Sequence, residues 1–344
     1  MGRDYVNWGI LGTGGIALKM AAAMRECQTC RLVAIAGRSL ASAARIAAEF
    51  RGVEAYGTYE ELLADSRVEA IYLALPNHLH AEWTIKAVRM GRHILCEKPF
   101  CLSAVEASVA LTEVRRAGVF FQEAFMYRSH PQTRLLAKLI GDGAIGSVRL
   151  IEVTFTIELG AQPQNIRCQR ETGGGGILDL GCYTVSLARL LAGAVVQLPF
   201  DNPVAVGGLI GCEHVSGVDH VAGAMLLFQS GCFAAMVVGM QVKSDRTVRV
   251  WGTDGSLQVA NPWMPPERGA NIWHSSRTEE GVRRIVVPES ASLYAQEIEH
   301  VTSLIRSGQT ESPYTKWDDT LGNMMVLDRW RTSASSVPLP STYV

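Results

Sequence analysis

Two residues able to share a proton stand close together in this chain. Asp179 and Tyr183 lie four apart in Gly173-Gly174-Gly175-Gly176-Ile177-Leu178-Asp179-Leu180-Gly181-Cys182-Tyr183. On a helix, residues four apart point the same way, one turn above the other, so carboxylate and phenol would share a face. Taken alone, the segment favours a plainer description: a flexible glycine loop leading to a hydrogen-bonded pair at a core edge. The rest of the chain changes this, because it supplies a place for a nucleotide and a lysine, Lys98, to accompany the tyrosine.

The nucleotide place is Gly12-Thr13-Gly14-Gly15-Ile16-Ala17, a Gly-x-Gly-x-x-Ala turn between the apolar stretch Trp8 to Leu11 and a run rich in alanine and methionine. Between a first strand and a first helix, such glycines let the backbone approach a pyrophosphate, whose charge meets amides at the helix start. The second strand should end in an acid if the ribose hydroxyls of NAD are to be bound. It ends instead in Ala36-Gly37-Arg38-Ser39. A guanidinium there can stack on adenine and pair with a 2′-phosphate, so NADP is expected over NAD.

The elements that must position these residues follow from periodicity. Strand and helix signals alternate through the first third, as in a parallel sheet wound with crossover helices. Strands are expected at Tyr5 to Leu11, Leu32 to Ala36, Ala70 to Leu75, His93 to Cys96 and Val119 to Gln122. Thr58 with Glu61 and Ser103 with Glu106 read as capping boxes, and Gly91 and Gly118 fall where helices should end. From Ile151 to Leu159 the period changes to strict alternation, the mark of a half-buried antiparallel strand. Val221 to Gln229 and Cys232 to Gln241 flank a Ser230-Gly231 turn, Val248 to Trp251 reaches a turn at Asp254-Gly255, and helical patterns return at Leu293 to Ile305 and Thr320 to Trp330. The expected fold is α/β: a Rossmann dinucleotide-binding domain over 1–124, then over 125–344 an α+β substrate-binding and oligomerisation domain with a large, open, mainly antiparallel sheet.

Composition narrows the class. The 344 residues are 48% hydrophobic and 19% charged with a formal net charge of −1, enough apolar material for two domains. Without a basic run there is no electrostatic footprint for nucleic acid or an anionic membrane. No stretch approaches the roughly 20 uninterrupted apolar residues of a membrane helix. Met1-Gly2-Arg3-Asp4 is expected to lead straight into a strand, so a cytoplasmic protein is expected. The 8 cysteines are scattered, with Cys27 and Cys30 the one Cys-x-x-Cys, and are read as reduced thiols. His78 and His80 stand two apart without an acidic or cysteine partner at ligand spacing, so no metal is expected.

Three further segments, Leu75-Pro76-Asn77-His78-Leu79-His80, Glu97-Lys98-Pro99 and Glu123-Ala124-Phe125-Met126-Tyr127-Arg128, join the glycine-to-tyrosine segment in a recognisable set. Together, and with Trp317 to Asn323, they make the chain resemble the glucose-fructose oxidoreductase, inositol dehydrogenase and rhizopine catabolism (Gfo/Idh/MocA) family over nearly its whole length. Within it the likeness is to the dihydrodiol dehydrogenase and NADP-dependent D-xylose dehydrogenase branch.

The resemblance implies an active site between the domains, with Lys98 as catalytic lysine, Tyr183 as proton donor or acceptor and Asp179 as a substrate-orienting carboxylate. It also implies cofactor contacts from Gly12, Gly14, Gly15, Ile16, Ala17, Arg38, Ser39, Leu75, Pro76, Asn77, His80, Glu97, Lys98 and Ala124. Met126, Arg167 and Tyr294 become candidates for substrate or cofactor contact, beside plain surface or packing roles. Many relatives carry histidine where this chain has Tyr183, which fits the dihydrodiol and xylose branch.

The chemistry agrees with these roles. Alcohol oxidation needs a base, a phenol near pKa ~10 is a poor one at neutral pH, and a lysine ammonium nearby would favour phenolate. The expected activity is therefore NADP-dependent hydride transfer to or from a sugar, polyol or vicinal diol. An NAD-dependent glycosidase of the same fold and a non-catalytic nucleotide sensor are the alternatives. The glycines before Asp179 would let a helix start come close to nicotinamide and sugar. A homodimer or higher oligomer through the second-domain sheet is expected, because the helical patterns are too few to cover both its faces.

Overall fold

The computed structural model describes residues 5–160, 162, 164–213 and 217–336. The start at Met1-Gly2-Arg3-Asp4 lies outside the described residues. The chain forms two compact units, Met1–Ser129 with Ala291–Thr320, and His130–Ser290 with Leu321–Val344.

The first unit runs β1 (Val6–Leu11), α1 (Gly15–Met24), β2 (Cys30–Ala36), α2 (Leu40–Ala47), β3 (Glu54–Tyr56), α3 (Tyr59–Ala64), β4 (Ala70–Leu73), α4 (His80–Arg89), β5 (His93–Cys96), α5 (Ala104–Ala117) and β6 (Phe121–Glu123). Its strands make one parallel sheet in the order β3-β2-β1-β4-β5-β6, the doubly wound order of dinucleotide-binding domains. Every residue of β1 and β4 is buried, as expected for strands covered on both faces. Local chemistry sets the helix ends. Thr58 and Glu61 form a full capping box at α3, Ser103 Oγ accepts from Glu106 N at α5, and Gly91 and Gly118 end α4 and α5 with φ of 74° and 65°. The three-residue β3 is too short to leave a periodic signal in the sequence.

The second unit holds α6 (Pro131–Gly141), β7 (Val148–Thr156), α7 (Cys182–Val195), β8 (Ala205–Glu213), β9 (Asp219–Leu227), β10 (Phe233–Gly239), β11 (Thr247–Gly252), β12 (Gly255–Ala260), β13 (Asn271–Ser276) and β14 (Val282–Val286). The chain continues as α8 (Leu293–Arg306), α9 (Trp317–Ser333) and the two-residue β15 (Ser335–Ser336). Nine strands pair in the order β14-β13-β12-β11-β7-β10-β9-β8-β15, antiparallel except at β7–β10 and β8–β15. The expected α/β architecture, a nucleotide-binding sheet followed by a large and mostly antiparallel one, is the observed one.

Two features depart from a simple reading of the chain. α8 lies in the first unit rather than following a cut at 124/125: Ile298 and Val301 enter the core of Trp8 and Ile10, and Thr302 Oγ1 accepts the Trp8 indole N–H at 3.1 Å. The helical run Arg170–Val195 is long and apolar enough to cross a membrane by composition alone, but 89% of its most apolar window is buried inside the protein, which makes it a core element.

On one face of the second sheet Ile151, Ala224, Met236, Val250 and Leu257 are buried. The register puts Glu152, Met225, Phe233, Val237, Arg249 and Trp251 on the opposite face, where four of the six are large, exposed hydrophobics.

Candidate active site

The nucleotide half is built around the β1–α1 turn. Gly12 has φ +119°, and a Cβ there would collide with Ala74 O, so the turn requires glycine. Gly14 and Gly15 differ: a Cβ on either would meet no protein atom within 4 Å. Their bareness serves nothing in the chain's own packing and suits a close-lying guest. α1 begins without a side-chain cap and without an acid in its first turn, so the amides at Gly15, Ile16 and Ala17 keep their donor capacity for an anion. These residues fit a dinucleotide phosphate.

Arg38 is exposed just beyond β2, and it has no ion-pair partner among the described residues. Its neighbour Gly37 packs so closely under Thr13 of the first turn that a Cβ would stand 2.8 Å from Thr13 Cγ2. The arginine thus leaves the backbone beside the glycine turn. Ser39 has a structural task, capping α2 by accepting from Ser42 N at 3.3 Å.

The Leu75-Pro76-Asn77 and Glu97-Lys98-Pro99 segments meet at His80. The ring is fully buried, with Nδ1 2.8 Å from Pro99 O and Nε2 2.8 Å from Leu75 O. Burial takes its pKa down to about 4, the two carbonyls pull it up, and Lys98 pushes it down again. Two carbonyls ask for two N–H donors, while burial asks for a neutral ring with one. Desolvation outweighs, so the ring is neutral and ties the two segments together by donating to one carbonyl at a time.

Lys98 and Glu97 are half-buried, and the Lys98–Pro99 peptide is cis. Glu97 accepts from the Tyr72 phenol. Ala124 N donates to Cys96 O at 2.7 Å, which locks the end of β6 to β5. Tyr294 belongs to this cluster: burial first, then Glu97 and Glu297, raise its phenol to about 12. Met126 is 7% exposed, within a short 3₁₀ turn of the first unit.

Two members of the cluster were missed from sequence, Tyr72 and Glu297. Glu297 is 1% exposed, burial raises its carboxyl well above the usual range, and its Oε1 has no hydrogen-bond partner among the described residues. A signal was available, since Glu297 interrupts the apolar stripe Leu293, Ile298, Val301 of α8.

In the second unit, Ile177–Gly181 is a π turn, and α7 begins only at Cys182. The helical run expected to carry Asp179 and Tyr183 thus opens with a π turn. The wider i→i+5 turn advances fewer degrees per residue, and both residues remain on one continuous helical run. Asp179 accepts from Arg167 Nε at 2.8 Å; its side chain is 9% exposed and that of Arg167 43%. Tyr183 stands edge-on to Phe155 and Trp263, at ring-centroid distances of 5.3 and 5.8 Å, and those two rings stack at 4.8 Å. The phenol is thereby fixed at two aromatic walls beside a carboxylate held by arginine. Arg167 is placed with Asp179, which spacing along the sequence did not reveal.

The glycine run also has a different reason from the one expected. A Cβ on Gly174 would stand 2.5 Å from Arg167 O and 2.7 Å from Gln169 O. Gly175, at φ +110°, would drive a Cβ into Asp219 Oδ1. The chain's own atoms claim this space. Asp219 Oδ2 accepts Ile177 N–H at 2.6 Å; burial raises its carboxyl to about 7, while the amides and Arg331 pull it down.

Two adjoining matches decide the lineage. Residues 6–125 match the oxidoreductase family with an NAD-binding Rossmann fold, and residues 133–258 match the GFO/IDH/MocA C-terminal domain, together more than half of the chain. The chain belongs to the Gfo/Idh/MocA family. Like other Gfo/Idh/MocA oxidoreductases it is an NAD(P)-dependent enzyme.

A D-xylose 1-dehydrogenase (NADP(+)) of Haloferax volcanii is 33% identical over 96% of this chain and 97% of its own. The mouse trans-1,2-dihydrobenzene-1,2-diol dehydrogenase is 31% identical over 90% of each chain. A 3-ketoreductase from Actinomadura kijaniata, solved with NADP and TDP-benzene, superposes with a TM-score of 0.88 at 28% identity over 98% of this chain and 100% of that one. No group of three or more His, Cys, Asp or Glu able to hold a metal ion occurs among the described residues of this Gfo/Idh/MocA chain.

Proposed function

We propose that this chain is an NADP-dependent dehydrogenase or reductase acting on a hydroxyl-bearing carbon of a sugar, polyol or vicinal diol. The observation that carries the reading is the pairing, on one helical run, of a phenol fixed by two aromatic rings with a carboxylate held by Arg167. Gly12, Gly14, Gly15, Ile16 and Ala17 would hold the pyrophosphate, and Arg38 the 2′-phosphate, with Leu75, Pro76, Asn77, Glu97 and Ala124 on the nicotinamide side and the buried His80 holding their segments from behind. The nicotinamide, when bound, supplies the hydride acceptor or donor.

Tyr183 takes the hydroxyl proton during oxidation, or gives it during reduction. An ordinary phenol is too weak a base for this at neutral pH, and the family resemblance assigns to the Lys98 ammonium the part of lowering the cost of phenolate. Asp179, steadied by Arg167, accepts a neighbouring substrate hydroxyl and so selects polyhydroxylated compounds. The named relatives, one acting on D-xylose and one on a dihydrobenzenediol, support that substrate class. Cys27, Cys30, Cys96, Cys101, Cys168, Cys182 and Cys232 are free thiols, which supports a reducing, cytoplasmic compartment. The exposed face carrying Met225, Phe233, Val237 and Trp251 supports self-association through the large sheet. A monomeric mass at micromolar concentration would overturn that part.

The test is a panel of aldoses, polyols and trans-diols, with ketosugars for the reverse direction, followed by NADPH absorbance. Turnover with NADP exceeding that with NAD is expected, and equal or tighter NAD binding would remove the role given to Arg38. Tyr183→Phe should lower kcat by about 10²–10⁴-fold with NADPH affinity intact. Glycoside cleavage without net NADPH, or tight NADPH binding without turnover of any substrate, would replace the reading with a glycosidase or a nucleotide sensor.

A further inference from the structure

Asp219 opens β9 and sends its carboxylate into the start of the helical run that carries Asp179 and Tyr183. Its Oδ2 accepts the Ile177 N–H at 2.6 Å, and the same oxygen would lie 3.2 Å from a Cβ on Gly176. Oδ1 fills the place where Gly175 would carry a side chain, and Gly175 reaches it through a backbone at φ +110°. Gly176, preceding the π turn, offers no side-chain cap of its own. A helix start with unsatisfied amides is stabilised by a carboxylate, and here that carboxylate comes from a strand distant in sequence. The turn that follows is a single π turn, a local departure from α geometry that its surroundings must hold in place.

We infer that Asp219 is a positioning residue for the proton-handling helix: by holding the Ile177 amide it fixes where Asp179 and Tyr183 stand. Gly175 and Gly176 are then the means by which the clamp closes, since a side chain at 175 would drive into the carboxylate and one at 176 would crowd it. The inference rests on the proposed role of Tyr183. A displacement of about 1 Å at a reacting group costs on the order of 10²-fold in rate, so loss of the clamp should appear in kcat.

The test compares Asp219→Ala, Asp219→Asn and Tyr183→Phe with the wild-type enzyme, on whichever substrate the wild type turns over, together with NADPH affinity from tryptophan fluorescence. Asp219→Ala is expected to lower kcat at least 30-fold with NADPH affinity within twofold, on the order of the misplacement cost above. Asp219→Asn keeps one acceptor oxygen for Ile177 N–H and is expected to recover at least a third of the lost activity on a logarithmic scale. A kcat for Asp219→Ala within twofold of wild type, while Tyr183→Phe is inactive, overturns the clamp and leaves the role of Tyr183 standing. Full activity of Tyr183→Phe overturns the underlying reading instead. If Asp219→Ala does not fold, Asp219→Ser, whose shorter side chain withdraws the acceptor from Ile177 N–H, decides: kcat lowered with KM and NADPH affinity kept supports the clamp, and unchanged kcat sinks it.

Discussion

The chain has two glycine-rich turns that look alike in sequence and are opposites in structure. In Gly12-Thr13-Gly14-Gly15 the two later glycines face open space, with no protein atom in reach of an added Cβ. In Gly173-Gly174-Gly175-Gly176 the later glycines are crowded by Arg167 O, Gln169 O and the Asp219 carboxylate. The first turn is bare so that something else can approach; the second is bare so that the protein can approach itself. Missing side chains in a sequence therefore say that two things come close, and only the surrounding atoms say which two.

The comparison can be broken most easily at Gly175. Gly175→Ala combines a left-handed backbone with displacement of the Asp219 carboxylate, so a stability loss of about 3–5 kcal/mol is expected, with turnover falling and NADPH affinity within twofold. Chemical denaturation and fluorescence titration on the same sample would show this, and a variant as stable as wild type would sink the crowding argument.

Acid separates the supports of the two turns. His80 is buried neutral with a pKa near 4 against an ordinary 6.5, so between those values the unfolded chain binds more protons and folding stability drops as pH falls. The full effect is about 3 kcal/mol, complete near pH 4 and absent above about 6.5. Asp219, raised to about 7, has the reverse sign, because the folded state holds the extra proton there as pH falls from about 7 toward 4. The histidine share is therefore read from the slope of stability against pH in wild type minus that in His80→Asn. Equal slopes would count against a neutral buried ring.

The smallest effect belongs to Gly15→Ala. A methyl at the first helical position meets nothing and favours the helix, so the melting temperature should hold or rise slightly, while NADPH binding weakens about tenfold, or about 1.4 kcal/mol. Unchanged NADPH affinity would mean that the open side of this turn is not where the phosphates lie.

Much of the first unit was legible because its signals are local. A strand, a glycine turn and a helix start are adjacent in sequence, and the capping residues at Thr58 and Ser103 stand beside the helices they open. The proton-handling half was legible as residue types but not as geometry. Nothing near Gly175 announces Asp219, 44 positions later, and nothing near Arg167 says that its guanidinium meets Asp179 rather than solvent. The π turn was invisible because helical periodicity is read over longer windows than one turn. Glu297 was open to reading, as a charge on an apolar stripe, and shows that a pattern broken once can be worth more than a pattern kept.

The return of α8 to the first unit bears on how the protein is made. Trp8, Ile10 and Cys27 near the start of the chain are covered by Thr302, Ile298 and the Ala295 carbonyl near its end. On the ribosome, the six strands of the nucleotide sheet emerge first but must wait, part of one face uncovered, while the eight strands β7 to β14 are synthesised. A fragment ending at Ser290 would lack that cover permanently. To isolate the nucleotide unit, residues 291–320 would have to be grafted back after Ser129, two lengths of chain joined to restore one fold.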